Sequence, residues 1–345
     1  MPNNTVSIAA EVVNVAVAII DYINDAGQPV FLLGYRQAHQ HQGDRYEFVG
    51  GKIDVHETPH QALVREVAEE IGCDITQNQT VKLGVIRHDY TDKCVALHIF
   101  RVTLDNAQFD ALQYGQGLEG QRITWASKDD LLANCYRLPD ANARIVDWLS
   151  MQNMIFISQA LDTFANAQTW LDHYDKKLPH GAGFYIRPQS DVTQAALLIK
   201  QILNQRADIT PIVQYQTVLH HPSIAQDAIV HLNHSELVGL DVEQLPTQWR
   251  YFASCHDEQS LETLNQFAKS HTVMGGFLSP ILPTPTHPEA QGMGWQTFGE
   301  LAAISDVPIY ALGGVGLTDL ATAQAYGASG IAGIRLLAQM TPVSI

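Results

Sequence analysis

Three glutamates in the first quarter of the chain have a spacing that brings carboxylates together. Glu66, Glu69 and Glu70 lie at i, i+3 and i+4, so a helix would place all three on one patch. A run of charges usually marks a solvated helix face. Here the run coincides with Arg65, whose planar guanidinium can orient carboxylates, and with Gly51, where a backbone carbonyl can approach closely. The pattern therefore predicts a site for Mg²⁺ or Mn²⁺, which prefer oxygen ligands and neutralise phosphate charge.

The residues around these glutamates predict the helix that positions them. Thr58 can cap its start, Pro59 suits the first helical position, and Gln61 can close a capping box. Gly72 is a typical residue at a helix end. Apolar residues recur at helical spacing and predict a buried face, formed by Ala62, Leu63, Val67 and Ile71. The helix is predicted over residues 59–71.

Residues 51–73 resemble the Nudix box, a pattern of G, five residues, E, seven residues and R-E-apolar-x-E-E-x-G-apolar. Its fixed positions are filled by Gly51, Glu57, Arg65, Glu66, Val67, Glu69, Glu70 and Gly72, with Cys73 in the last apolar position. The resemblance implies Mg²⁺-dependent hydrolysis of a nucleoside diphosphate linked to another group. It also implies a catalytic set of Arg65, Glu66, Glu69, Glu70 and Glu119. The implied metal ligands are Gly51, Glu66, Glu69, Glu70 and Glu119.

Short matches outside the box resemble the MutT type of Nudix hydrolase, which acts on 8-oxo-dGTP. Residues 47–53 are similar to its E-F-P-G-G-K-I, residues 119–121 to its E-G-Q, and residues 138–142 to its P-P-A-N. Val49 and Asp140 depart from that pattern, which has proline at both positions. The resemblance covers roughly residues 10–150, and the substrate-binding residues that it implies are Arg36, Glu47, Phe48 and Asn142.

Two assignments stay open on the residues alone. The amide of Asn142 has donors and acceptors that could pair with the edge of an oxidised purine, but asparagine also favours a helix N-cap. Glu66 is the first candidate for the group that activates water, either as metal ligand or as base, and Glu119 is the second.

Composition restricts the classes of protein that the chain can belong to. Its 345 residues suggest two domains, and a net charge of −16 without a basic tract argues against direct nucleic-acid binding. The four cysteines have no zinc-site spacing, which favours reduced thiols in the cytoplasm. The first residues resemble neither a signal peptide nor a membrane span.

The first domain is predicted over residues 1–152. Its strands are expected at residues 12–21, 29–36, 81–88, 95–104 and 120–125, with a closing helix at 140–149. This content agrees with the αβα sandwich that the Nudix resemblance implies. The second domain, residues 153–345, alternates eight short apolar strands with amphipathic segments, which predicts a parallel (β/α)₈ TIM barrel. Those strands are expected at residues 154–158, 183–187, 211–214, 228–232, 251–254, 272–278, 308–312 and 330–335.

The second domain resembles the thiamine-phosphate synthase/TenI family. The matches are Val230–Leu232, Ser254–Asp257, the proline-rich residues 279–288, and Gly313-Gly314 after the seventh strand. Barrels bind phosphate with backbone N–H groups at such a place. The expected phosphate-binding residues are Thr284, Thr286, Gly313, Gly314 and Gly333, for a thiamine-precursor phosphate.

The synthase motifs are incomplete in this domain. Arg187 is retained, but Gln189 replaces a lysine, no aspartate stands near Gln214, and His287 replaces a second lysine. Glu236 is the remaining acidic candidate. Loss of these charges should weaken pyrophosphate binding, so the barrel is predicted to be a poor synthase.

The sequence therefore predicts an enzyme with a degenerate barrel. Its reaction would convert 8-oxo-dGTP to 8-oxo-dGMP and pyrophosphate, which links it to DNA replication and repair through the nucleotide pool. One alternative is hydrolysis of a thiamine-related pyrophosphate. The other is a barrel that serves as a non-catalytic ligand-binding or scaffolding module.

Overall fold

The computed structural model describes residues 12–37, 43–90, 94–113, 115–241, 244–283 and 291–340. The chain divides into two compact units, Met1–Val146 and Asp147–Ile345. The domain ranges predicted from the sequence, 1–152 and 153–345, remain a prediction.

The first unit combines a mixed sheet with short helices. Its strands are β1 (Val12–Ile23), β2 (Pro29–Arg36), β3 (Arg45–Glu47), β4 (Val49–Lys52), β5 (Thr80–Asp89), β6 (Cys94–Thr103) and β7 (Ile123–Ser127). Its helices are α1 (Pro59–Ile71), α2 (Asn106–Leu112) and α3 (Lys128–Leu132), and α4 (Ala143–Ser150) extends across the division between the units.

The long strand β1 organises this sheet. It pairs in parallel with β6 along one edge and antiparallel with β4 and β2 along the other. The sheet order is β3-β2-β1-β6-β5, with β4 also on β1 and β7 on β2. Ala16, Ala18 and Ile20 point into a core that contains the buried face of α1. The alternate residues of β1 face the other way, because successive side chains of a strand point to opposite faces.

Helix α1 has the predicted bounds and caps. The Thr58 side chain accepts from the Gln61 amide at 3.2 Å, and the Gln61 side chain accepts from the Thr58 amide at 2.8 Å. Gly72 is left-handed, with φ of 69°, and its N–H donates to Ala68 at 3.0 Å. The four predicted apolar residues of the helix are buried.

Two predictions for this unit need correction, and one helix with a local signal was not predicted. The segment 140–149 begins with a 3₁₀ turn, Asp140–Asn142, and becomes α-helical only at Ala143. Strand β7 begins at Ile123 instead of residue 120, after a turn around Gly120 whose φ of 79° does not fit a strand. Helix α2 was not predicted, although Asp105 and Gln108 form a capping box at its start.

The second unit is a closed barrel of eight parallel strands. They are β8 (Met154–Ile157), β9 (Gly183–Ile186), β10 (Thr210–Gln214), β11 (Ile229–Leu232), β12 (Arg250–Cys255), β13 (Thr272–Leu278), β14 (Ile309–Leu312) and β15 (Gly330–Gly333). The strands pair in chain order, and β15 closes onto β8. Its helices are α5 (Ala167–Lys177), α6 (Val192–Gln205), α7 (Tyr215–His220), α8 (His234–Gly239), α9 (Glu258–Phe267), α10 (Gly294–Ile304), α11 (Leu320–Ala325) and α12 (Leu336–Gln339).

The barrel interior is filled with side chains from the strands, as is usual for this fold. Ile155, Tyr185, Phe252, Phe277 and Tyr310 belong to that cluster. All eight strands occur where they were predicted, with ends that differ by at most two residues. Over the described residues, no helix is both long enough and apolar enough to cross a membrane.

Candidate active site

Arg65 organises the acidic face of α1. Its Nε and Nη2 donate to the two carboxylate oxygens of Glu57 at 2.9 and 2.8 Å. Its Nη1 donates to Glu66 at 2.7 Å and to Glu69 at 3.1 Å, and Nη2 also donates to the Lys52 carbonyl at 2.9 Å. These bonds, first those to Glu57 and then to Glu66, raise the pKa of Arg65, while Arg65 holds the pKa of Glu57 below its usual range. One guanidinium thus fixes three carboxylates relative to the loop before the helix.

The two glycines before the helix are required by close contacts. A Cβ on Gly51 would lie 2.2 Å from the carboxylate of Glu66, so only glycine lets this side chain lie against the strand end. Gly50 has φ of 155°, and a Cβ there would lie 2.1 Å from the Ala16 carbonyl oxygen. The contact at Gly51 brings β4 against α1 at the predicted metal site, and the contact at Gly50 packs β4 against β1.

Glu70 lies at the centre of an acidic cluster. Burial raises its pKa to about 8, and the charges of Glu47, Glu119 and Glu66 contribute to that shift. The backbone N–H of Gly50 acts in the opposite direction by hydrogen bonding to the carboxylate. Glu119, which comes from the loop before β7, is therefore close enough to Glu70 to interact with it. The structure brings this predicted residue to the helix face.

The donor set suits a hard divalent cation. It consists of carboxylates and the backbone carbonyl predicted at Gly51, and the mutual repulsion at Glu70 is what a bound cation would relieve. As the side chains lie, no three acidic, histidine or cysteine groups in the described ranges stand close enough to chelate an ion. Arg65 holds Glu66 and Glu69 instead. The residues fit the metal, and their assignment as ligands remains a prediction.

A cavity of about 190 Å³ opens beside this cluster. It is smaller than the roughly 300–1,000 Å³ of sites that enclose a drug-sized ligand, so it suits one ring system of a nucleotide. The lining residues are Val13, Val15, Val17, Arg36, Glu47, Phe48, Gly50, Gly51, Lys52, Tyr90, Val95, Leu97, Pro139, Ala141 and Asn142. All four predicted substrate-binding residues are among them. Gly51 and Lys52 connect the cavity to the acidic helix.

Arg36 lines the cavity as part of an ion pair, with one N–H that is not hydrogen bonded. Arg36 Nε lies 3.0 Å from Glu47 Oε1, which forms an ion pair. The geometry is not that of a hydrogen bond, and within the described residues Nε has no hydrogen-bond partner. Burial raises the pKa of Glu47, Arg36 lowers it, and Glu119 raises it. Arg36 can therefore still donate a hydrogen bond to an anionic group that enters the cavity.

Asn142 contributes the one carboxamide side chain of this cavity's lining. The residue is only 7% exposed, and its backbone N–H donates to the Pro139 carbonyl at 2.8 Å. In the part of the chain that the structure describes, its side-chain amide makes no hydrogen bond. A helix N-cap would use that amide, and no such hydrogen bond occurs in the described structure. Neither amide atom is among the described side-chain atoms that are both fully buried and unpartnered, so the amide is open to the cavity. Its role in base binding remains a prediction.

Most of the cavity wall was not predicted from the sequence. Val13, Val15 and Val17 line it because they occupy the face of β1 opposite the core. The alternation of these valines could be read from the sequence. The sequence did not indicate which face of β1 lines the cavity. Tyr90 was also missed, because only the folded sheet brings the end of β5 beside the turn that carries Asn142.

The barrel site is only partly described. Thr284, Thr286 and His287 lie outside the described residues. Gly313 and Gly314 have φ of 94° and 77°, and a Cβ on either would approach Pro280 or Leu282 within 3 Å. These glycines are therefore required for packing, whether or not they also bind phosphate.

The other retained motif residues of the barrel have structural partners. The backbone N–H of Arg187 donates to Ser158 Oγ at 2.7 Å. Glu236 closes the capping box of α8 with Asn233 and accepts from Gln216 at 2.7 Å. The phosphate-binding roles of Gly313, Gly314 and Gly333 remain predictions.

Comparisons with known proteins agree with this division. The model of the NUDIX domain family matches residues 13–149, and that of the thiamine monophosphate synthase family matches residues 191–337. An 8-oxo-dGTP diphosphatase of Proteus vulgaris is 43% identical over 24% of this chain and 70% of its own length. A CTP pyrophosphohydrolase of Escherichia coli (strain K12) is 30% identical over 29% and 69%. A protein of Aquifex aeolicus (strain VF5), named as a thiamine-phosphate synthase, is 29% identical over 39% and 64%.

The chain therefore belongs to the Nudix hydrolase family. Its Nudix domain is related to the 8-oxo-dGTP diphosphatases, and its C-terminal domain is a TIM barrel of the TenI/thiamine-phosphate synthase type.

Proposed function

We propose that the Nudix domain is a Mg²⁺-dependent pyrophosphohydrolase that converts 8-oxo-dGTP to 8-oxo-dGMP and pyrophosphate. The observation that carries the proposal is the side-chain amide of Asn142, which makes no hydrogen bond in the described structure and is open to the cavity next to the acidic helix. An amide supplies both a donor and an acceptor, which is what an oxidised purine edge requires. Removal of such nucleotides before DNA replication would lower the mutation rate.

The residues have distinct tasks in this reaction. Arg36 binds phosphate, Phe48 packs against the base, and Arg65 keeps Glu66 and Glu69 oriented. Glu66, Glu69, Glu70, Glu119 and the Gly51 carbonyl would hold Mg²⁺ or Mn²⁺, which when bound neutralises charge on the phosphates.

Bond making and breaking take place at the β-phosphorus. Glu66 accepts a proton from water as the water oxygen attacks that phosphorus, and Glu119 is the alternative base. The new bond joins the water oxygen to the β-phosphorus. The bond to the bridging oxygen breaks, and that oxygen leaves with the nucleoside monophosphate.

Pyrophosphate release with Mg²⁺ tests the substrate. The assay compares 8-oxo-dGTP, dGTP, CTP and thiamine pyrophosphate for the wild type, Glu66→Gln and Asn142→Ala. We expect a preference for 8-oxo-dGTP that Asn142→Ala removes, and a loss of all turnover in Glu66→Gln. Equal rates with 8-oxo-dGTP and dGTP in the wild type would contradict the assignment.

A second substrate is favoured by the fused barrel. A Nudix domain joined to a domain of the thiamine monophosphate synthase family could hydrolyse a thiamine-related pyrophosphate. That function predicts turnover of thiamine pyrophosphate and indifference to Asn142→Ala, so the same assay separates the two.

The barrel is proposed to bind a phosphorylated small molecule without efficient synthesis of thiamine phosphate. The missing lysines and aspartate support this, while a purely structural role is the alternative. The protein acts on small molecules, with no nucleic acid or membrane as partner, and we place it in the cytoplasm, where its four free cysteines would remain reduced.

A further inference from the structure

The loop that carries Glu119, residues 115–122, is a tight turn directly before β7. The backbone N–H of Gly117 donates to the Gln121 carbonyl at 2.8 Å, and that of Gly120 donates to the Gly117 carbonyl at 2.9 Å. Gly120 is left-handed, with φ of 79°, a conformation that glycine adopts without strain. These contacts place Glu119 at the tip of the loop.

The loop is attached to the last turn of α1 through a single carbonyl. The backbone N–H of Leu118 donates to the Glu70 carbonyl oxygen at 2.7 Å, and Gln121 Nε2 donates to the same oxygen at 3.1 Å. Carbonyls in the last turn of a helix have no partner within the helix, so the loop satisfies one of them. Leu118 and Gln121 lie on either side of Glu119 in the chain. The backbone of Glu119 is therefore held beside that of Glu70.

The orientation of the Gln121 amide is determined by this contact. A Cβ on Gly117 would lie 2.3 Å from Gln121 Cδ, so glycine makes room for the side chain under the loop. Gln121 Oε1 is buried and has no hydrogen-bond partner among the described residues. Turning the amide over would direct this oxygen at the Glu70 carbonyl oxygen, and two acceptors cannot form a hydrogen bond. The position therefore requires a donor that points at Glu70.

We propose that Gln121 is a positioning residue for the metal site, which anchors the loop to the end of α1 and so keeps Glu119 beside Glu70. The inference rests on the proposed function and deepens it, because Glu119 is the one predicted metal ligand that lies outside β4 and α1. Gln121 acts through Glu119 and takes no part in the hydrolytic step. The effect of the Glu119 charge on the pKa of Glu70 agrees with this placement.

Gln121→Met tests the assignment, because methionine has a similar length and no donor. One lost hydrogen bond corresponds to roughly a two- to tenfold effect. We expect the Kd for Mn²⁺, measured by electron paramagnetic resonance on the full chain without nucleotide, to rise by that factor. In the metal-free protein the Leu118 amide should exchange faster with solvent, while exchange in β1 stays unchanged. Gln116→Met is the matched control, since Gln116 is exposed in the same loop.

The double variant Gln121→Met/Glu119→Gln separates positioning from a general loss of stability. If Gln121 acts through Glu119, the double variant binds Mn²⁺ no more weakly than Glu119→Gln alone. Additive losses, an unchanged Mn²⁺ affinity in either single variant, or an equal effect of Gln116→Met would each overturn the inference.

Failure of the proposed function has a different signature, because the Mn²⁺ titration needs no substrate. A wild type without preference for 8-oxo-dGTP removes the substrate assignment and leaves the result of the titration as it stands. Normal Mn²⁺ binding in the wild type without coupling between Gln121 and Glu119 removes the positioning role alone. A wild type that binds no Mn²⁺ would remove the metal site and this inference together.

Discussion

At the scale of single residues, the candidate active site depends on the missing side chain of Gly51 as much as on its carboxylates. Gly51 has no chemistry of its own, yet the Glu66 carboxylate occupies the space that a Cβ would fill. Any side chain at position 51 must therefore displace the glutamate, the loop or both. Because catalysis depends on placement to within about an ångström, the smallest side chain should already be harmful.

We expect Gly51→Ala to lower kcat/KM for the preferred nucleotide by on the order of 10²-fold, since a 1 Å misplacement can cost that much. Steady-state pyrophosphate release at saturating Mg²⁺ measures the effect. Gly239→Ala is the matched control, because a Cβ there meets no atom within 4 Å. Wild-type activity in Gly51→Ala would show that the contact with Glu66 is not needed for catalysis.

At the scale of elements, α1 is fixed by local signals alone. Its cap, its apolar face and its terminal glycine all lie within residues 58–72, and each was readable from the sequence. The stability of the helix should therefore respond to the cap without any change in the catalytic step, because Thr58 is eight residues before Glu66 in the chain.

Thr58→Ala should lower the free energy of unfolding of the Nudix domain by about 1 kcal/mol, the usual cost of losing an N-cap. Thermal unfolding measures it, as a fall of several degrees in Tm. Thr58→Ser keeps the hydroxyl that accepts from Gln61 and should restore most of the loss. A fall in kcat larger than the change in folded fraction would contradict the separation of stability from chemistry.

The elements that sequence analysis missed depend on tertiary structure. Helix α2 is a single short helix of 7 residues, and Asp105 and Gln108 were its only local signal. Strand β1 finds its parallel partner β6 about 80 residues further along the chain, a pairing that no local pattern encodes. That pairing determines which face of β1 lines the cavity, and the order of the sheet brings Tyr90 to Asn142. The acidic helix was therefore predictable, whereas the shape of the base cavity was not.

Another element-scale feature is the turn between α6 and β10. Arg206 donates to both carboxylate oxygens of Asp208 at 2.8 and 2.9 Å, and Asp208 also accepts from the Gly181 amide at 2.9 Å. Arg206 also donates to carbonyls in the last turn of α5 and directly after it, those of Asp175, Leu178 and Pro179. The ion pair therefore ties two helix–strand connections of the barrel together.

The pH dependence of this pair has a defined sign. Hydrogen bonding to Arg206 holds the pKa of Asp208 well below its usual range in the folded state. The unfolded chain then binds more protons in acid, so the stability from this pair is complete above the ordinary aspartate pKa of about 3.9 and declines as pH falls below it.

Asp208→Asn should destabilise the barrel at pH 7 by about 1.5–3 kcal/mol, which is the scale for loss of a charge-assisted hydrogen bond. The difference from wild type in urea unfolding should become smaller at pH 3. Asp172→Asn is the control, since Asp172 accepts a single exposed hydrogen bond from Gln168. A difference between Asp208→Asn and wild type that does not change with pH would rule out the ion pair as its source.

At the scale of the whole molecule, one chain joins a hydrolase domain with an intact acidic helix to a barrel with an incomplete synthase site. The barrel has a closed sheet and a packed interior, so its fold is intact although its synthase motifs are incomplete. A barrel retained for ligand binding should differ measurably from one retained as a scaffold, because only the former is stabilised by a ligand.

The full-length Glu66→Gln variant allows that comparison, since its Nudix domain should not consume phosphorylated ligands. With phosphorylated thiazole at 100 times its Kd, the barrel should gain about 2.7 kcal/mol of stability, which appears as a rise in Tm. Arg187→Gln in the same background should reduce this rise, because Arg187 is the retained cation of the synthase motif at the carboxyl end of β9. Thiamine phosphate should not form when the pyrimidine pyrophosphate is added. A Tm that stays constant up to millimolar ligand would contradict ligand binding and support the scaffold role. Formation of thiamine phosphate would show that the missing lysines and aspartate are dispensable.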